Sequence, residues 1–162
     1  MTQIDKMLGN LSESEMDLLL QKQLTGRIGC YADDTPYVVP INYVYKDGYI
    51  YGHSAAGKKI EILRKNPKVC FQVDDIENIM NWKSVIAWGT FQEITEREEM
   101  QKVMQEIIQH IMPSVTHVDG HPSHGITANE SDIGTSIELI LYKIYLHKIT
   151  GRFEYHLPNI TS

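Results

Sequence analysis

The stretch Gly52-His53-Ser54-Ala55-Ala56-Gly57-Lys58-Lys59 gathers an imidazole, a hydroxyl and two ammonium groups. It satisfies the phosphate-loop pattern G-x-x-x-x-G-K-[ST] up to its last position and departs there. That position supplies the hydroxyl that holds magnesium against a nucleoside triphosphate, and the cation of Lys59 would repel the metal instead. The set suits a phosphate monoester bound without metal: Ser54 can donate a hydroxyl, and one of the two lysines, Lys58 or Lys59, can neutralise charge. His53 has two available roles, a hydrogen bond to the phosphate or proton delivery near neutral pH.

Positioning these groups requires a strand end and a helix start. Residues 49–53 read as the second arm of a hairpin that turns at Asp47-Gly48, and a short helix over about 57–65 is stopped by Asn66-Pro67. Free amides and the positive helix end then favour an anion at the junction. The hairpin context argues against a nucleoside triphosphatase, whose glycine loop follows a strand of a parallel sheet.

The remaining elements point to a mainly β chain with peripheral helices. Ser12 and Glu15 form a capping box ahead of a helix over about 12–24. Strands follow through residues 26–54, 68–75, 82–95 and 137–155, with Gly89 marking a bulge or bend. A second amphipathic helix carries Met100, Val103, Met104, Ile107, Ile108 and Ile111 on one stripe. Six strands with short connections imply an antiparallel barrel or closed sheet, over about 26–153, in a single domain of residues 1–162. Residues 114–135 read as a histidine-rich loop and 154–162 as a short tail. His117, Asp119, His121 and His124 lie in that loop, where Gly120 and Pro122 break the helix that would align them, so no metal site is expected. Tyr37, Tyr43, Tyr45, Tyr49 and Tyr51 alternate along the hairpin and are expected on one face, with Trp82 and Trp88 as further flat surfaces able to cover a planar ligand.

Composition excludes several classes. With 42% hydrophobic and 22% charged residues the chain is not intrinsically disordered. A net charge of −6 argues against nucleic acid or an anionic membrane as partner. No apolar run reaches the roughly 20 residues of a membrane span, and the N-terminus has no secretory core, so a cytoplasmic location is expected. Cys30 and Cys70, both in strand-like contexts, are expected to be buried thiols.

Six fragments in order carry a resemblance: G-R-I-G (26–29), P-Y-V-V-P-I-N-Y (36–43), D-G-Y-I-Y-G-H-S-A-A-G-K-K (47–59), N-P-K-V-C-F-Q-V-D (66–74), W-K-S-V-I-A-W-G (82–89) and I-T-G-R (149–152). Together they resemble the pyridoxamine 5′-phosphate oxidase-like flavoproteins, within them the nitroimidazole-resistance branch. The resemblance implies a six-stranded FMN-binding split β-barrel, homodimeric, with FMN at the subunit interface. It places Val39, Pro40, Ile41 and Asn42 along the isoalloxazine edge, His53, Ser54, Lys58 and Lys59 at the phosphate end, and Ser84 and Val85 near the phosphate or ribityl chain. The implied activity is an FMN-dependent oxidoreductase that passes electrons to a small planar acceptor such as a nitroaromatic, with NADH or NADPH as donor and His53 as the one candidate catalytic side chain. No arginine cluster is present for a pyridoxal phosphate substrate, so vitamin-B6 oxidase activity is not expected. A non-enzymatic flavin- or haem-binding protein is the alternative.

Overall fold

A computed structural model describes residues 6–114 and 139–156. Strand β1 (Lys6–Asn10) leads into helix α1 (Glu13–Lys22). The expected capping box is present: the Ser12 hydroxyl accepts from the Glu15 amide at 3.3 Å, and the Glu15 carboxylate accepts from the Ser12 amide at 2.8 Å. The helix stops before residue 24 because Gln23 is already extended, leading into β2 (Thr25–Ala32).

Strand β3 (Thr35–Asn42) follows a tight turn at Asp33-Asp34, and β4 (Val44–Lys46) is joined to β5 (Tyr49–Ala55) at Asp47-Gly48. All four turn residues have positive φ, between 51° and 80°, which matches the turn twist to that of the flanking strands. Helix α2 (Lys58–Lys65), strands β6 (Lys68–Asn78) and β7 (Asn81–Glu93), helix α3 (Arg97–Ile111), a short 3₁₀ turn and the long strand β8 (Leu139–His156) complete the described chain.

The strands form one antiparallel sheet in the order β3-β2-β6-β7-β8-β5-β4. One edge of β8 carries β5 along residues 139–145 and β1 along residues 152–156. The described residues therefore form eight strands where six were expected. The additions are β1, whose sequence KMLGN has no strand pattern of its own, and β4, set off from β3 by Tyr43. Tyr43 turns into the core, where its phenol donates to the Leu20 carbonyl at 2.7 Å. The barrel's strands consequently run from residue 6 to 156, and the expected tail begins with three residues of β8. The predicted bulge lies between Trp88 and Gly89, where the register with β8 shifts.

Alternate residues of the strands fill the interior: Ile28 and Cys30, Phe71 and Val73, Val85 and Ala87, Tyr142 and Ile144. Strand β8 is covered on both sides, because Leu141 faces Val103, Met104, Ile107 and Ile111 of α3. The expected single row of tyrosines is not formed. Tyr49 and Tyr51 stack with ring centroids 5.9 Å apart, whereas Tyr43 packs edge-on against Phe71 in the core. Cys30 is buried as expected; Cys70 is half-buried on the opposite face of the sheet. No helix among the described residues is long and apolar enough to cross a membrane.

The sheet does not close. Among the described residues strand β3 pairs on one side alone, with β2, and β4 covers β5 through Tyr49, Ile50 and Tyr51. Among the described residues, no strand pairs with the far edge of β5 from Gly52 to Ala55, which lies near the end of β3. Unpaired strand edges invite a ligand or another chain.

Candidate functional site

A cleft of about 310 Å³ occupies this split, lined by Pro40, Ile41 and Asn42 from β3, His53 and Ser54 from β5, and Lys59 from α2. Six of the residues singled out in the sequence are thus brought together. The placement follows from local structure. Asp47-Gly48 returns the chain so that β5 ends beside β3, and Gly57 starts α2 one residue before Lys58.

The donors around the cleft suit an anion. The N-cap of α2 is Gly57, which has no side chain to cap it, so among the described residues the amides of its first turn have neither a helical partner nor a cap. Lys59 is half-buried, and burial, opposed in part by the Cys30 thiol, holds its ammonium below the ordinary lysine value. Its Nζ lies 5.6 Å from the ring centroid of Tyr142. The Ser54 hydroxyl donates to the Ala55 carbonyl at 2.8 Å, an exchangeable contact at the strand end. The Asn42 Oδ1 accepts from the Thr25 hydroxyl at 2.9 Å, which fixes the amide and leaves its nitrogen as donor. His53 is 9% exposed.

Four sequence candidates lie elsewhere. Val39 packs against the core, and Lys58 is exposed beside the cleft without lining it. Val85 is wholly buried inside the barrel. Ser84 sits on the outer face of the sheet, where its Oγ accepts from Gln72 Nε2 at 3.1 Å within a network that includes Asp74 and Arg27. Within one chain, the strands β2 and β6 separate Ser84 from the cleft. Trp82 and Trp88 also lie away from it: Trp82 donates to Glu154, and the Lys148 ammonium stands 5.2 Å from the Trp88 ring. The 117–124 histidine segment lies outside the described residues.

Two residues of the site are not legible in the sequence. Tyr142 lies beneath Lys59, and Gly52 pairs with it across β5 and β8. A Cβ on Gly52 would stand 2.6 Å from the Tyr142 hydroxyl, so the glycine is needed for the ring to pass. Only the strand register connects them.

A larger concavity, about 420 Å³, lies between the β6–β7 hairpin and the end of β8. Glu15, Asp75, Glu77 and Glu154 line it against one lysine, Lys83, so its field repels phosphate. Charge, not size, favours the cleft in the split.

An antiparallel split barrel with a cationic cleft between two open strand edges defines the class of protein. The chain belongs to the pyridoxamine 5′-phosphate oxidase family, whose sequence model matches residues 12–152. An uncharacterized Rhizobium meliloti protein is 41% identical over 68 residues, a match spanning 42% of this chain and 45% of that relative's length. Among solved structures, a FAD-binding protein of Mesorhizobium loti superposes with a TM-score of 0.71 at 27% identity, covering 91% of this chain and 98% of the other. A candidate 5-nitroimidazole antibiotic resistance protein of Bacteroides thetaiotaomicron gives a TM-score of 0.64 at 20% identity, over 93% and 90% of the two chains, and shares the fold.

Proposed function

We propose that the protein binds FMN with its phosphate at the Lys59 end of the cleft and acts as a flavin-dependent oxidoreductase on a small planar acceptor such as a nitroaromatic. The observation that carries the reading is the half-buried Lys59 beside an uncapped helix start at the mouth of a split barrel. Family membership and the FAD-binding Mesorhizobium structure support a flavin as the ligand. The bound flavin supplies the redox chemistry, with NADH or NADPH as donor. Lys59, Ser54 and the α2 amides hold the phosphate; the open edges of β3 and β5 offer backbone donors and acceptors to the ring; His53 holds a proton or contacts the acceptor.

The working unit is a homodimer. The outer face of the sheet exposes Val38, Ile86 and Trp88, and continues through Arg27 to Pro40 at the cleft. A second copy laid on this face buries the apolar row and brings its own Ser84 toward a flavin that protrudes from the cleft. This accounts for a residue that one chain keeps apart from the others.

A flavin or haem carrier without turnover is the second reading. Buried His53 favours it, since imidazole is a common axial ligand of haem. The test is the absorbance spectrum of the purified protein together with NADPH oxidation in the presence of a nitroaromatic. A flavin spectrum with acceptor-dependent turnover is expected; a haem spectrum, or flavin without turnover, refutes the enzyme reading.

A further inference from the structure

The barrel interior next to the cleft holds a phenol whose packing does not explain its oxygen. Tyr142 is 0% exposed, and its hydroxyl meets no hydrogen-bond partner among the described residues. Buried polar groups are nearly always paired, and an unpaired one destabilises the fold. A phenylalanine would fill the same space beside Phe91, whose ring centroid is 5.3 Å away, without that cost.

The position of the oxygen suggests its use. Tyr142 springs from β8 opposite Gly52 of β5, and both its Cζ and its hydroxyl lie 2.6 Å from where a Gly52 Cβ would be. The ring therefore lies over Gly52, and its hydroxyl is sealed there, behind the cleft and not part of its lining. Strand β4 leaves the edge of β5 open from Gly52 onward, and the residues that follow, His53 and Ser54, line the cleft. Lys59 reaches the same place from α2, with its ammonium over the ring.

We propose that a ligand in the cleft brings the Tyr142 hydroxyl into use as a binding group, which donates a hydrogen bond to the same anionic ligand end that Lys59 neutralises. Gly52, with no side chain to stand between the hydroxyl and the cleft, lets it do so. Burial pushes the phenol well above its ordinary value, which favours the neutral, donating form. The inference rests on the phosphate-site reading above, deepens it by one residue, and has a test that separates the two.

Wild type and Tyr142→Phe are compared by calorimetric titration with FMN and riboflavin, and by thermal melting with and without inorganic phosphate. The expected result is an FMN affinity about tenfold or more weaker in Tyr142→Phe, the loss expected for a hydrogen bond to a charged group. Riboflavin affinity should be unchanged, and phosphate should stabilise the variant less than wild type. The melting temperature of the ligand-free variant should equal or exceed that of wild type, which separates a lost contact from a damaged fold. Equal FMN affinity in the two proteins overturns the proposal, as does an equal loss for FMN and riboflavin, which would place the hydroxyl on the ribityl chain or ring. If wild type itself does not prefer FMN to riboflavin while phosphate still stabilises it more than the variant, the flavin reading fails and the Tyr142 assignment stands. If phosphate stabilises both proteins equally, the Tyr142 assignment fails too.

Discussion

The ammonium of Lys59 stands 5.6 Å from the ring centroid of Tyr142, half-buried at the edge of a barrel that offers it no carboxylate partner among the described residues. A cation held there gains from the ring's electron-rich face but loses hydration. Its burial is a cost to the ligand-free fold that an anion would offset.

That balance predicts opposite effects on stability and binding. Because Lys59 keeps its proton to higher pH in the unfolded chain than in the folded one, the unfolded state binds more protons between the two values, and stability rises with pH across that window. Below it the cost is present in full. Lys59→Met keeps the aliphatic stem and removes the charge. Its ligand-free melting temperature should exceed that of wild type at neutral pH, with the difference disappearing above the ordinary lysine value, and its FMN affinity should fall about ten- to a hundredfold. Melting curves across pH and a titration with FMN check both.

His53 should behave differently from Lys59. If its imidazole handles a proton or the acceptor, His53→Ala keeps flavin bound while turnover of a nitroaromatic with NADPH falls at every FMN concentration. Full recovery with added FMN would make His53 a phosphate ligand instead. Steady-state rates over a range of FMN concentrations decide.

Pairing of subunits through the outer face predicts that a charge placed on it separates them. Trp88→Glu, at a residue 38% exposed between Cys70 and Lys148 in register, should give the monomer mass in light scattering and weaken FMN binding along with it. A Trp88→Glu dimer with wild-type affinity would place the interface elsewhere.

Arg64 and Glu93 tie α2 to the end of β7 through two hydrogen bonds of 2.6 and 3.1 Å. The guanidinium holds the Glu93 carboxyl below the usual 4.5. A depressed carboxyl contributes stability above its unfolded value, and that contribution is lost as pH falls through the folded one. Arg64→Ala should return the Glu93 midpoint to the ordinary range in an NMR titration and flatten the acid limb of stability correspondingly.

The sequence disclosed what repeats or punctuates. The Ser12–Glu15 box, the Asp47-Gly48 turn, the apolar stripe of α3 and the bulge at Gly89 all carry local signals, and all are present. That Ser54 and Lys59 share a cleft was legible for the same reason, since they lie five residues apart at a strand–helix junction. What depends on register was not. Tyr142 and Gly52 are ninety residues apart and meet only because β5 and β8 pair. Ser84 and Val85 are neighbours in sequence yet point to opposite faces of β7, which a list of motif positions cannot express. Strand β1 has no pattern of its own and exists through pairing with β8.

The central claim is that the split holds a flavin by its phosphate, and the direct measurement is calorimetric titration of the ligand-free wild-type protein with FMN and with riboflavin under identical conditions. The account predicts about one FMN per subunit and much weaker binding of riboflavin, since Lys59, Ser54 and the α2 amides meet a phosphate that riboflavin lacks. Equal affinities for the two flavins, or no binding of either, would contradict it.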